Sequence, residues 1–231
     1  MLKLAIGNKN YSSWSMRPWV LLRQFNLPFE EVMIPFDGFN PESRFKQAAS
    51  QLSPVAKVPV LLHGDLVVWD TLAIAEYLAE YAAEHFPELA LWPRDQAARA
   101  RARSLCAEMH SGFAALRSAC PMNIEASLPE VGARLLAEQP AVAADLARLV
   151  AMWQAALVAS GGPFLFGGFS ITDAYFAPVA ARLRTYGLPL PADVTAYVDR
   201  LWASAGVAAW VQGALAEQQY LGFEEPYRRS R

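Results

Sequence analysis

The chain has 231 residues, of which 54% are apolar and 18% charged, with a net charge of -2. That length suits one large domain or two small ones, and that balance excludes a disordered chain. Lys and Arg are dispersed along the sequence, so the bulk charge offers no footing for nucleic acid.

Leu2 to Ile6 reads as a short strand closed by the turn Gly7-Asn-Lys-Asn10. Tyr11-Ser-Ser-Trp-Ser-Met-Arg-Pro-Trp19 then opens a helix that continues to about Phe25, with serines suited to capping it. Pro18 requires a place in the first turn, where its missing N–H costs little. Asn26-Leu-Pro28 stops the helix, and Phe29 to Ile34 forms a second strand, parallel to the first because a helix intervenes. A modest helix starts at Asn40–Ser43 and ends near Leu52. Val58 to Leu62 has strand composition despite Pro59, and two readings of that proline stand open. One is an edge-strand proline; the other is a cis Val58-Pro59 bond that aims the Val58 N–H and C=O outward, toward an extended ligand. A Gly64-Asp65 hairpin leads to Leu66–Trp69, and Thr71 to Tyr81 is an amphipathic helix with Leu72, Ile74, Ala75 and Leu78 on its apolar side.

The order β-α-β-α-β-β-α over residues 1–83 predicts a thioredoxin-like layout. Residues 84–93, ending in Leu91-Trp-Pro93, read as a linker, and strand signals vanish over 94–231. There the pattern predicts helices from Asp95 to about Ser118, from Leu128 to Ala159, from Ser170 to Arg184, from Pro191 to Ala203 and from Val207 to Gln218. Ser170-Ile-Thr-Asp173 is a capping box with Asp in place of Glu. The fold class is therefore α/β plus all-α, a thioredoxin-like N-terminal domain followed by an all-helical bundle domain. Cys106 and Cys120 form no CxxC motif and no Cys/His cluster, so we expect reduced thiols, a cytoplasmic setting and no metal. Met1–Gly7 lacks the length and cleavage pattern of a signal peptide, and no run is expected to span a bilayer.

Three motifs carry a resemblance that covers essentially the whole chain. Ser12-Ser13-Trp14-Ser15-Met16-Arg17 is similar to the serine-bearing start of helix 1 in zeta, phi and tau class glutathione transferases. Lys57-Val58-Pro59-Val60 with Asp70-Thr71 resembles that family's cis-proline loop and acidic-plus-hydroxyl pair. Gly168-Phe169-Ser170-Ile171-Thr172-Asp173 is similar to the capping box of its helical domain. The resemblance implies a cytosolic glutathione transferase, a homodimer of detoxifying type, with glutathione as co-substrate. Its thiolate would attack a small, apolar electrophile.

The same resemblance assigns roles residue by residue. Ser12, or Ser13 next to it, would donate to the glutathione sulfur, with Ser15 left as a cap; the alternative is that all three only cap the helix. Lys57 would reach the glycyl carboxylate, unless it simply faces solvent, and the Val58 backbone beside Pro59 would pair with the cysteinyl part. Asp70 would accept from the γ-glutamyl ammonium and Thr71 would hold its carboxylate; a plain helix cap at Asp70 is the alternative. Trp14, Met109, His110 and Phe113 would line the co-substrate pocket, although such a stripe on a helix is also what a core looks like. Arg17 either orients the loop or helps hold the anion, or is a solvated helix charge. The zeta pattern has a cysteine where this chain has Trp14, and no pair of carboxylate-binding arginines is evident. Both features count against the rival reading, a glutathione-dependent isomerase (of maleylacetoacetate type) or dehalogenase. A non-catalytic binding or regulatory protein on the same fold is the third reading.

Overall fold

Alternation along the first strand, β1 (Leu2–Ile6), organises the N-terminal half of the computed structural model, which describes residues 1–231. Leu2, Leu4 and Ile6 project to one face of the sheet and join a core of 48 buried residues. Ala5 projects to the other face and joins a satellite core of 7 residues with Tyr11, Ile34, Phe36, Phe45, Ala49 and Val60. After β1 come α1 (Ser13–Gln24), β2 (Phe29–Met33), α2 (Arg44–Leu52), β3 (Val60–His63), β4 (Leu66–Trp69) and α3 (Thr71–His85). The sheet order is β2-β1-β3-β4. β1 pairs parallel to β2, as the intervening helix requires, and antiparallel to β3. Pro59, which has no N–H to give to the ladder, stays outside it, so β3 begins two residues later than the composition suggests. The Val58-Pro59 bond is cis.

The second half is helical throughout: α4 (Gln96–Ser111), α5 (Ala114–Ala119), α6 (Pro129–Glu138), α7 (Pro140–Ser160), α8 (Ile171–Thr185), α9 (Ala192–Trp202) and α10 (Ala205–Glu217). Two expected single helices are broken. The one starting at Asp95 stops at Gly112, and Phe113 takes a left-handed φ of 56° before α5 resumes. The one starting at Leu128 is split at Gln139, which Pro140 pushes out of helical geometry. Pro18 is also not in the first turn: α1 starts at Ser13, so the proline lies inside the helix. By length and composition α7 is apolar enough to cross a membrane, where we expected no such run. Its stripe of Val142, Leu146, Leu149, Met152 and Trp153 is buried in the helical core.

The two halves meet along α1, which packs against both α8 and α10. The approach of α10 is close enough to require a glycine: a Cβ on Gly206 would lie 2.5 Å from the Val20 carbonyl oxygen. At the start of α8 the capping box is formed as expected. The Asp173 carboxylate accepts from the Ser170 N–H (2.9 Å), the Leu165 N–H (3.2 Å) and the Tyr197 hydroxyl (3.1 Å).

Candidate active site

Ser12 is the N-cap residue of α1, but its side chain makes no cap bond. Its hydroxyl instead donates to the Ser15 Oγ at 2.7 Å, and Ser15 also accepts the Gly7 N–H at 3.2 Å. Ser15 thus ties the end of β1 to α1, rather than capping the helix it sits in. Ser13 is half-buried, and its Oγ accepts from the Arg182 Nη2 of α8 at 3.2 Å. A hydroxyl that accepts on one side keeps its own hydrogen free to donate on the other. The loop leading to these serines is held from the far end of the chain. Glu217 accepts from the Lys9 N–H at 2.6 Å, Gln219 from the Asn8 amide at 2.7 Å and Glu225 from the Tyr11 hydroxyl at 2.7 Å.

Opposite the serines stands Val58, whose N–H and carbonyl make no hydrogen bond within the protein. Lys57 beside it is exposed. Farther along, β4 ends and Asp70 takes a left-handed φ of 73° before α3. Asp70 Oδ1 caps α3 by accepting the Leu72 N–H at 2.8 Å, while Oδ2 faces the His110 Nε2 at 3.3 Å. Thr71 is only 2% exposed, and its hydroxyl is bonded to the Tyr175 hydroxyl at 2.8 Å. Tyr175 in turn meets His110 Nδ1 at 2.6 Å, so α3, α4 and α8 are joined at one polar knot. Burial pushes the Tyr175 phenol up to about 12 and keeps it neutral.

Two cavities open here. The wider, about 680 Å3, is lined by Ser12, Ser13, Trp14, Lys57 and Val58 together with Tyr11, Phe36, Phe39, Arg117 and Arg182. The other, about 630 Å3, is lined by Val58, Pro59, Asp70, Thr71 and His110. Trp14, Lys57, Val58 and Arg117 line both, so the two form one continuous cleft.

Two expected pocket residues are elsewhere. Met109 and Phe113 are buried in the large core and line neither cavity. Met109 lies on the inward face of α4, with His110 rotated by about 100° toward the cleft, and Phe113 is buried beyond the break at Gly112 that ends the helix. His110 itself lies in the corner with Asp70 and not in the wider cavity. Arg17 is not a solvated charge. It is 5% exposed, lies between the Trp14 and Tyr175 rings at 4.3 and 4.1 Å, and its Nη1 has no hydrogen-bond partner. Burial lowers its pKa to about 10. A pair of arginines, Arg117 and Arg182, does stand beside Ser13, although nothing in their local sequence marks them as a pair. Neither cysteine offers a nucleophile: burial pushes Cys106 up to about 12 and Cys120 up to about 11.

Residues 11–81 match the family model described as the glutathione S-transferase N-terminal domain. Glutathione S-transferase 1 of Dianthus caryophyllus is 36% identical over 99 residues, 42% of this chain and 41% of that protein. A probable maleylacetoacetate isomerase of Caenorhabditis elegans is 31% identical over 107 residues, 46% of each chain. The matched stretches span less than half the length of these curated relatives. A crystal structure of a glutathione transferase homologue from Burkholderia, with bound glutathione, covers far more. It is 26% identical, with a TM-score of 0.67, over 93% of this chain and 98% of that one. The first part of the chain is thus similar in sequence to the glutathione S-transferase N-terminal domain, and the whole chain, with its thioredoxin-like sheet layer and helical second half, shares the fold of glutathione transferases.

Proposed function

We propose that this protein is a glutathione transferase: it binds glutathione in the continuous cleft and presents its sulfur as a thiolate to a small electrophile. The observation that supports this most directly is the opening of both serines, the unpaired Val58 backbone and the capped start of α3 onto one space. In this reading the cysteinyl N–H and C=O pair with Val58, as an added strand would. The γ-glutamyl end lies at the first turn of α3, where free N–H groups receive its carboxylate and Asp70 receives its ammonium. Lys57 takes the glycyl carboxylate. The Thr71 hydroxyl serves the site through Tyr175 and positions the turn, while the turn's backbone meets the ligand.

The chemistry asked of the site is modest. A free thiol has a pKa near ~8.5, and lowering it by about two units takes about 2.7 kcal/mol. A hydroxyl donated to sulfur at the positive end of α1 supplies stabilisation of that kind. Between the two serines the geometry favours Ser13, since the Ser12 hydroxyl is given to Ser15 and that of Ser13 is polarised by Arg182. The thiolate then forms a carbon–sulfur bond as the leaving group departs with its electron pair, and the thiol proton has already passed to solvent. The same reading carries a homodimer and a cytoplasmic setting, the latter in keeping with two free, buried cysteines.

The test is a titration of glutathione into the protein, following heat and thiolate absorbance across pH. Saturable binding with a bound-thiol pKa below that of free glutathione is the expected result. Binding with no pKa shift would leave a binding protein, and no binding would end the reading.

A further inference from the structure

We infer that the electrophile this site takes is an organic anion: a flat apolar body carrying a carboxylate, with the carboxylate held by Arg117 and Arg182. The inference rests on the glutathione reading for the place of the sulfur, beside Ser13.

The wider cavity combines two kinds of wall. Trp14, Phe36 and Phe39 provide an aromatic surface. Lys46, Lys57, Arg117 and Arg182 provide four cations against one carboxylate, that of Glu224. The arginines are the telling pair. Elsewhere Arg44, Arg103, Arg148, Arg184, Arg228 and Arg231 each meet a carboxylate at 3.1 Å or less, and others such as Arg23, Arg94, Arg101 and Arg134, which meet none, are exposed to solvent away from the cavity. Arg117 and Arg182 meet none. Arg117 donates its Nη1 to the carbonyls of His110 and Gly112, at 3.2 and 3.3 Å, and lines both cavities with its guanidinium 4.9 Å from the Trp14 ring. Arg182, 7% exposed, donates to the carbonyls of Arg117 and Cys120 and to Ser13. A third guanidinium, Arg17, lies behind Trp14 without a carboxylate.

Burying like charges side by side without a counterion is unfavourable, and a ligand that supplies the counterion is correspondingly favoured. The strain is visible in Arg182, whose pKa is lowered to about 10 by burial and by its neighbours Arg17 and Arg117. Glu224 does not cancel this charge. Burial raises it to about 7, so it is only partly ionised near neutrality. One thiolate beside Ser13 and one glycyl carboxylate at Lys57 still leave positive charge in the cavity. A carboxylate suits a guanidinium because its two oxygens match the planar fork of N–H donors, and the aromatic walls accept the flat remainder of the molecule.

Two matched pairs of probes test this. The inert pair is 3,5-dinitrobenzoate and 3,5-dinitrobenzamide, compared by calorimetry. The reactive pair is 4-chloro-3,5-dinitrobenzoate and its carboxamide, compared as kcat/KM corrected for the uncatalysed reaction with glutathione. The wild-type protein is expected to prefer the carboxylate by about tenfold in both measurements. Arg117→Gln should bring both ratios close to one; Arg182→Lys, which keeps a charge but not the fork, should lower them partway. Parity in the wild type overturns the inference, as does a preference that Arg117→Gln leaves intact. Because the inert pair needs no glutathione, failure of glutathione to bind would overturn the earlier reading alone. Normal glutathione binding with carboxylate–amide parity would overturn this one alone.

Discussion

Four helices in this protein begin at a serine, and two of those beginnings, at α8 and α1, are built for opposite ends. At α8 every polar atom of the corner is turned inward: Ser170 and Asp173 are 3% and 0% exposed, and the carboxylate collects donors from Leu165, Ser170 and Tyr197. At α1 the N-cap side chain makes no cap bond, and both Ser12 and Ser13 border open space. A helix start can thus satisfy its own backbone or leave its hydroxyls for a visitor, and this chain does both. The difference teaches that a serine at a helix start is ambiguous until its partners are seen.

The largest effect should come from breaking the closed corner. Asp173→Ala leaves buried donors without an acceptor, and we expect a loss of about 4 kcal/mol in urea unfolding, with whatever folds still binding glutathione. The same residue predicts a pH dependence. Burial raises its folded-state pKa to about 6, above the unfolded value, so the stability it contributes is full at low pH and falls as pH rises through about 6. Relative to Asp173→Asn, which cannot titrate, the wild type should gain up to about 3 kcal/mol between pH 7 and pH 4.

The open corner should behave in the converse way. Ser13→Ala is expected to raise the bound-thiol pKa and lower kcat/KM by about tenfold to a hundredfold, with unfolding changed by less than about 0.5 kcal/mol. Should Ser12→Ala move the pH–rate profile and Ser13→Ala leave it alone, the donor is Ser12. Smallest of all, Asp70→Ala should weaken glutathione by about 1 kcal/mol, read by calorimetry, and cost about 1 kcal/mol of stability through the lost cap of α3. A large stability loss with normal affinity would make Asp70 a cap and nothing more.

Much of the architecture could be read from local pattern because local pattern is what determines it. Leu2, Leu4 and Ile6 alternate with Ala5 across the sheet, and Ser170-Ile-Thr-Asp173 encodes its cap within four residues. The split before Pro140 was equally open to inspection, since proline biases its predecessor away from the helix. The break at Phe113 was not: a buried aromatic residue in a left-handed conformation has only Gly112 as a local sign. In the site, Trp14, Val58 and Asp70 lie where their neighbours in sequence place them. Arg182 reaching Ser13, Tyr175 reaching Thr71 and Glu225 reaching Tyr11 are encounters across more than a hundred residues, which no spacing rule expresses.

Those last encounters bear on how the molecule comes into being. The loop carrying the serines leaves the ribosome well before Trp210, Glu217, Gln219 and Glu225, which fix its shape from about two hundred residues farther along. A nascent chain can lay down its sheet early, since domains form as they emerge. Its serine corner must wait until those later residues have been made. A ribosome stalled after α9 would therefore hold a recognisable sheet layer whose reactive end has not yet been assembled.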